Sequence, residues 1–339
     1  MKMFKISAIA IACMLVFGMT TLQPQEASAK KIVIRLAHPN VPQHPMGEGF
    51  AYFKELVERR SEGRIEVIHY HSSQFGNFDS VVQGLQTGML QMGSASTPNL
   101  APFSDAFLIF DMPFIIPSYE ASDLITDGPI GRQATSALEG TGIFGLGYIE
   151  IGFRHLFNGR RAIQSLDDVQ NLRIRSTASR AHISTLNHLG ANPTPISWGE
   201  VFTALQQGTV DGIDIDLNLA WFNNFHEVQD NLTLVGSFYS PHLVMISEIF
   251  YKSLSPADQM LITEAFTEMK LFQRAKIRSN EEMILEEMRK KGVEIVRLDP
   301  EERARFQEAT QAVIAEFEER VGKDLIEQAR ETVREYESQ

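Results

Sequence analysis

The stretch from Ser255 to Gly292, "SPADQMLITEAFTEMKLFQRAKIRSNEEMILEEMRKKG", contains one proline, at its second position, and no glycine before its last. Ser255 can cap free N–H groups, and Pro256 suits the first helical turn, where its missing donor is not needed. Gly292 is a stop signal. An uninterrupted helix over this run reaches on the order of 50 Å, longer than a small domain is wide. The chain has 339 residues, more than one core comfortably serves. Both facts point to two bodies braced by one rod.

The remainder reads as α/β. "KIVIRLAH" from Lys31 is strand-like, "PNVPQHPMG" is a turn-rich loop, "EGFAYFKELVERRSEG" has helical spacing, and "RIEVIHYH" alternates as a second strand. An internal echo extends the pattern. "VVQGLQTGMLQMGSAS" (81–96) and "VFTALQQGTVDGIDID" (201–216) both fit V-x-x-x-L-Q-x-G, 120 residues apart. In each, a short amphipathic helix stops at a glycine, Gly88 or Gly208, before a short strand. Ser197 and Glu200 ahead of the second helix have capping-box spacing. After Gly292, "EIVRLD" reads as a strand and two charged amphipathic helices follow. Two α/β lobes of related design are expected.

Charge narrows the partners. The net charge is -12, and no basic tract suggests nucleic acid. At the N-terminus, "MKMFK", the apolar "ISAIAIACMLVFGM" and the small residues of "ASA" form a secretory signal pattern, with cleavage expected after Ala29. Losing Lys2, Lys5 and Glu26 takes the charge to -13. Cys13, the only cysteine, lies in that segment, so neither disulfides nor thiolate chemistry are expected in the mature chain. A periplasmic destination follows.

The motifs that invite an enzyme reading lack their context. "GTGIFG" (140–145) matches G-x-G-x-x-G, but a strand-like segment follows where a dinucleotide site needs a helix. Asp214 and Asp216 in "VDGIDID" have no carboxylate at EF-hand spacing. His69 and His71 alternate on a strand and read as surface or interface residues. Neither a zinc pattern nor a G-x-S-x-G elbow is present. No metal and no cofactor are expected.

A receptor needs only a concave site with a few fixed polar anchors. In "NLRIRSTAS" (171–179), Arg173 and Arg175 share one side of a short strand, either as solvated charge or with one awaiting an anion. Arg154 follows strand-like "GYIEIGF", Trp198 opens the helix after Ser197, and Asp214 lies on the strand beyond it. In open α/β sheets such strand ends and helix starts converge on one rim. An arginine fork matches a carboxylate with two parallel hydrogen bonds.

With these residues the sequence resembles the substrate-binding proteins of tripartite ATP-independent periplasmic (TRAP) transporters, of the dicarboxylate-binding (DctP) type. The resemblance runs from about Ile32 to the C-terminal helices. It is densest in "GFRHLFNGRRAIQSLDDVQNLRIRS" and "LGANPTPISWGEVFTALQQGTVDG", with "FGNFDSVVQGLQTG" and "DMPFII" in support. It implies a two-lobe periplasmic binding protein fold, type II-like, with a hinge and a long helix spanning both lobes. It also implies a small carboxylate-bearing solute held in the cleft and handed to a membrane permease of a small and a large subunit.

Matched position by position, the resemblance makes Arg175 the carboxylate clamp and Arg154 a second arginine near the ligand. Trp198 becomes the aromatic residue over it, while Ser96 and His38 fall near first-lobe positions that can line the cleft. Arg173 is left as surface charge. Where many members have "DGQENP", this chain has "DGIDID", so Ile215 replaces an asparagine that contacts ligand. Asp214 then either accepts from ligand hydroxyl or amino groups or is a solvated strand end. Trp221 is either a cleft wall or core.

The expected division is residues 30–151 with 241–280 as lobe I, and 152–240 with 281–339 as lobe II, in a monomer. The competing readings are a receptor for an ATP-driven importer or sensor kinase, and an exported hydrolase or lyase using Asp214 and a histidine.

Overall fold

A computed structural model describes residues 31–338, so the expected leader and its cleavage point lie outside the described residues. The first lobe opens with β1 (Ile32–Ala37), α1 (Pro45–Arg60), β2 (Ile65–Tyr70), α2 (Phe78–Gln86) and β3 (Met92–Ser96), followed by α3 (Tyr119–Asp127) and α4 (Pro129–Ser136). β4 (Ile143–Asn158) leads into β5 (Arg173–Ser176), α5 (Arg180–His188), β6 (Asn192–Pro195), α6 (Val201–Gln206), β7 (Gly212–Asp216), α7 (Leu217–Phe222) and β8 (Asn231–Leu234). The chain ends with β9 (Tyr239–Ser247), α8 (Glu248–Ser253), α9 (Pro256–Lys290), β10 (Glu294–Arg297), α10 (Pro300–Val321) and α11 (Lys323–Glu337).

The echo marks the same place in two copies of one topology. In the first lobe the parallel strands run β2-β1-β3, and in the second β6-β5-β7, each wound by two helices. The repeated sequence is the second helix and third strand of each unit. Gly88 and Gly208 follow α2 and α6 with φ of 74° and 66°, a left-handed conformation in which a Cβ would crowd the backbone. The capping box does not form at Ser197: its side chain accepts no cap bond, and a single 3-10 turn, Trp198–Glu200, precedes α6. A reciprocal box closes instead between Ser165 and Asp168.

β4 belongs to both lobes. It pairs antiparallel with β9 from Ile143 to Phe153 and with β7 from Arg154 to Asn158. A bulge between Glu150 and Gly152 sits beside that change of partner, and Gly152 holds φ 123°, which side-chain-bearing residues rarely adopt. The change of partner falls between Phe153 and Arg154, two residues past the expected boundary at residue 151.

The rod is real. α9 is 35 residues, about 52 Å, and Ser255 caps it through a hydrogen bond from the Asp258 N–H. Its Ile262, Phe266 and Met269 share a core with Phe50, Phe53 and Val57 of α1. Ile284, Leu285 and Met288 join the same core near Leu217, Ala220 and Phe225 of the second lobe. The expected border at residue 280 thus falls inside one continuous helix.

The assignment of 281–339 wholly to lobe II is corrected by the last two helices. Phe306 of α10 packs with Leu156, Ile174 and Leu186 of the second lobe. Val313, Phe317 and Val321, with Leu325, Ile326 and Ala329 of α11, pack with Ile125, Ile130 and Ala134 of α3 and α4. The apolar stripe of α10 is long enough to leave one core and enter the other, and it carries α11 back to the first lobe.

Candidate functional site

A cavity of about 900 Å³ opens between the lobes, walled by strand ends and helix starts from both. On the second-lobe side Arg175 is the last residue but one of β5. Only 6% of it is exposed, and its Nε and Nη2 donate to the Ile196 carbonyl at 3.0 and 2.8 Å, while Nη1 has no protein partner among the described residues. Burial pushes its guanidinium down to about 9, with the nearby Arg154 charge adding to the effect and Asp214 opposing it. The Trp198 ring centre lies 6.0 Å from its guanidinium carbon.

Arg173, two residues back, has a different task. It binds Asp211 through Nη2 at 2.7 Å and donates to the carbonyls of Gly208 and Thr209, tying β5 to the turn before β7. The two arginines share a strand but not an environment.

Arg154 also lines the cavity, held from behind. Its Nε donates to Asp214 Oδ2 at 2.8 Å, and Nη2 donates to the Asp214 carbonyl. Asp214 is 1% exposed and stands off the cavity wall, which Ile215 forms instead; its Oδ1 is buried without a partner. Asp216 caps α7 by accepting from the Leu219 N–H at 2.8 Å, and burial raises its carboxyl to about 7.

Ser96 lines the first-lobe wall and accepts from Asn99 Nδ2 at 2.5 Å. His38 does not reach the cavity. It is buried against His69, Nε2 to Nε2 at 2.5 Å, and its Nδ1 accepts from the N–H of Asn40, which does line the wall. His69 is therefore an internal partner rather than a surface residue, pushed down to about 4 by burial first and then by the charges of His71 and Lys54. Trp221 stacks on His226 at 4.5 Å, packs against the main core and stands outside the cavity.

Sequence reasoning missed several wall residues: Asn40, Asn77, Phe78, Asn99 and His242 from the first lobe, Thr177 and Ser179 from the second. The echo carried part of that signal. Counting back equally from the two motifs pairs Asn77 with Ser197 and Phe78 with Trp198, and all four line the cavity. Ser179 also ties the lobes, donating to Asp111 Oδ2 at 2.6 Å, and burial lifts the Asp111 carboxyl to about 7. His182 Nε2 lies 3.6 Å from the other oxygen of Asp111, but the three do not form a hydrolytic triad, since Ser179 donates to the carboxylate while His182 Nδ1 faces Thr177 Oγ1 at 3.0 Å.

Among the described residues no group of three His, Cys, Asp or Glu could hold a metal ion, and no helix is long and apolar enough to cross a membrane.

Comparison with known proteins agrees with this architecture. The profile of the bacterial extracellular solute-binding proteins, family 7 (DctP), matches residues 36–320. A solute-binding protein of Verminephrobacter eiseniae is 31% identical over 303 residues, 89% of this chain and 90% of its own. The C4-dicarboxylate-binding periplasmic protein DctP of Rhodobacter capsulatus is 32% identical, over 88% of this chain and 90% of its own. The sugar acid binding protein of Advenella mimigardefordensis, solved with galactonate, superposes with a TM-score of 0.88 at 29% identity, covering 90% of this chain and 99% of that one. With its two α/β lobes, the shared strand between them and the profile match across most of its length, the chain belongs to the DctP family of TRAP-type periplasmic solute-binding proteins.

Proposed function

We propose that this protein captures a small organic acid by its carboxylate at Arg175, closes its lobes over it, and delivers it to a TRAP membrane permease. The carrying observation is a buried guanidinium that faces the interlobe cavity and has no carboxylate of its own, because Asp214 is committed to Arg154. Two bonds to the Ile196 carbonyl fix the fork's orientation before ligand arrives, so little side-chain entropy is left to lose on binding. Arg154, paired with Asp214, lines the same wall, and Trp198 offers a flat apolar face over the ligand's carbon skeleton. Relatives named for a C4-dicarboxylate and for galactonate support an acid as the ligand class.

An acidic receptor for anions is not self-defeating. Surface repulsion is screened over about 8 Å at physiological ionic strength, so the arginines in the cleft decide the outcome.

The test is titration calorimetry with galactonate and succinate. Arg175→Ala should weaken the better acid by about two to three orders of magnitude, since a buried carboxylate left unpaired costs about 3–5 kcal/mol. Arg175→Lys should rescue little, because a point charge does not supply the fork. An Arg175→Ala protein that binds like wild type would remove the clamp.

A further inference from the structure

The two walls of the cavity are chemically unequal. The second lobe holds the anion-binding charge: among the described residues Arg175 faces the cavity without a carboxylate partner, Arg154 is paired with Asp214 at 2.8 Å, and Arg180 and Glu200 line the same side as exposed charges of opposite sign. The first lobe presents Asn40, Asn77, Phe78, Ser96, Asn99 and His242. These are amides, a hydroxyl, an imidazole and a phenyl ring; the arginine on this side, Arg320 of α10, is already bound to Asp105 at 2.6 Å. Asp79, which also lines this wall, is an exposed carboxylate that repels a second anion.

His242 does not supply the missing charge. Burial, and then the charge of Arg154, hold it down to about 3, so the ring is neutral at physiological pH. Among the described residues its Nδ1 is buried without a hydrogen-bond partner, so a ligand group can pair with it. Phe78 meets the His242 ring edge-on at 6.0 Å, and its placement mirrors that of Trp198 on the opposite wall.

We propose that the solute is a polyhydroxy monocarboxylate: one carboxylate at Arg175, a neutral hydroxylated chain spread over the first-lobe wall, and its C–H faces between Phe78 and Trp198. A dicarboxylate would press its second charge against uncharged donors and Asp79, where burial without a counter-ion is strongly unfavourable. This inference rests on the Arg175 clamp proposed above.

The experiment is calorimetry on the purified protein with D-galactonate and D-gluconate against succinate and L-malate, repeated with Arg175→Ala and with Asn99→Lys. The hydroxylated monocarboxylates should bind roughly 100-fold or more tighter than the dicarboxylates, a difference set by the unpaired second charge. Asn99→Lys, which brings a cation to the neutral wall, should shift the ratio toward succinate by about tenfold or more. Dicarboxylates that bind as tightly as the sugar acids, and lose that binding in Arg175→Ala, would overturn the selectivity while leaving the clamp standing. An unaltered ratio in Asn99→Lys would also overturn it. If no acid binds, or if Arg175→Ala binds normally, clamp and selectivity fall together.

Discussion

Arg154 and Asp214 form an ion pair set into the cavity wall. The guanidinium is 8% exposed at its side chain and the carboxylate 1%, so the pair is buried and either partner alone is strongly unfavourable. Asp214→Ala should therefore lower the unfolding free energy by about 3–5 kcal/mol and weaken acid binding as Arg154 loses its orientation. Denaturant melts beside calorimetry read both. A loss of affinity with unchanged stability would instead put Asp214 in direct contact with the solute. Arg175 and Trp198 were legible because they sit by a strand end and a helix start, positions that α/β topology brings to the rim, whereas Ser96 came only through the family resemblance and Arg154 lies within β4, where the strand changes partner. His38, Asp214 and Trp221 lie nearby in sequence but one layer back, because strand alternation gives a side and not a depth. Asn77 and Phe78 were hidden only because the echo was not followed across to its partner positions.

At the level of elements, the strand shared by the two lobes is bolted to the long helix. Gln273 of α9 accepts from the Glu150 N–H at 3.0 Å and donates to the Glu150 carbonyl at 2.6 Å, beside the bulge where β4 changes sheets. Arg278 reaches the buried Glu150 carboxylate at 2.8 Å. Replacing the amide by a hydrocarbon, Gln273→Leu, strands two buried backbone groups at about 1–3 kcal/mol each. A stability loss of about 2–5 kcal/mol by urea titration is expected; a loss under about 1 kcal/mol would mean that water replaces the amide. The strands, the rod and the paired lobes were readable from hydrophobic period and breaker positions. The route of α10 from one lobe's core to the other's was not, since an amphipathic stripe announces burial without naming what buries it.

For the whole molecule, proton uptake sets the acid response. His38, His44, His69, His155, His182 and His242 are all pushed below their ordinary value by burial, to about 3 for three of them. A group depressed in the folded state adds stability at higher pH that is lost as pH falls below 6.5, where the unfolded chain takes up the proton and the native one does not. Asp111, Glu150, Asp216 and Glu281 are raised by burial and work in the opposite sense. The histidines outnumber them, so stability should fall from pH 6.5 to pH 4, by about 1.4 kcal/mol per pH unit for each proton of excess uptake. Thermal melts across that range check the sign, and a Tm that holds or rises on acidification would contradict it. The shared topology of the two lobes has its own consequence. Because the cationic side of the cleft and the neutral side are built on separate copies of one strand-helix repeat, the proposed grip on an anion and the preference for what hangs from it can drift independently. Substitutions in one unit can retune a new member of this lineage without disturbing the inheritance of the other.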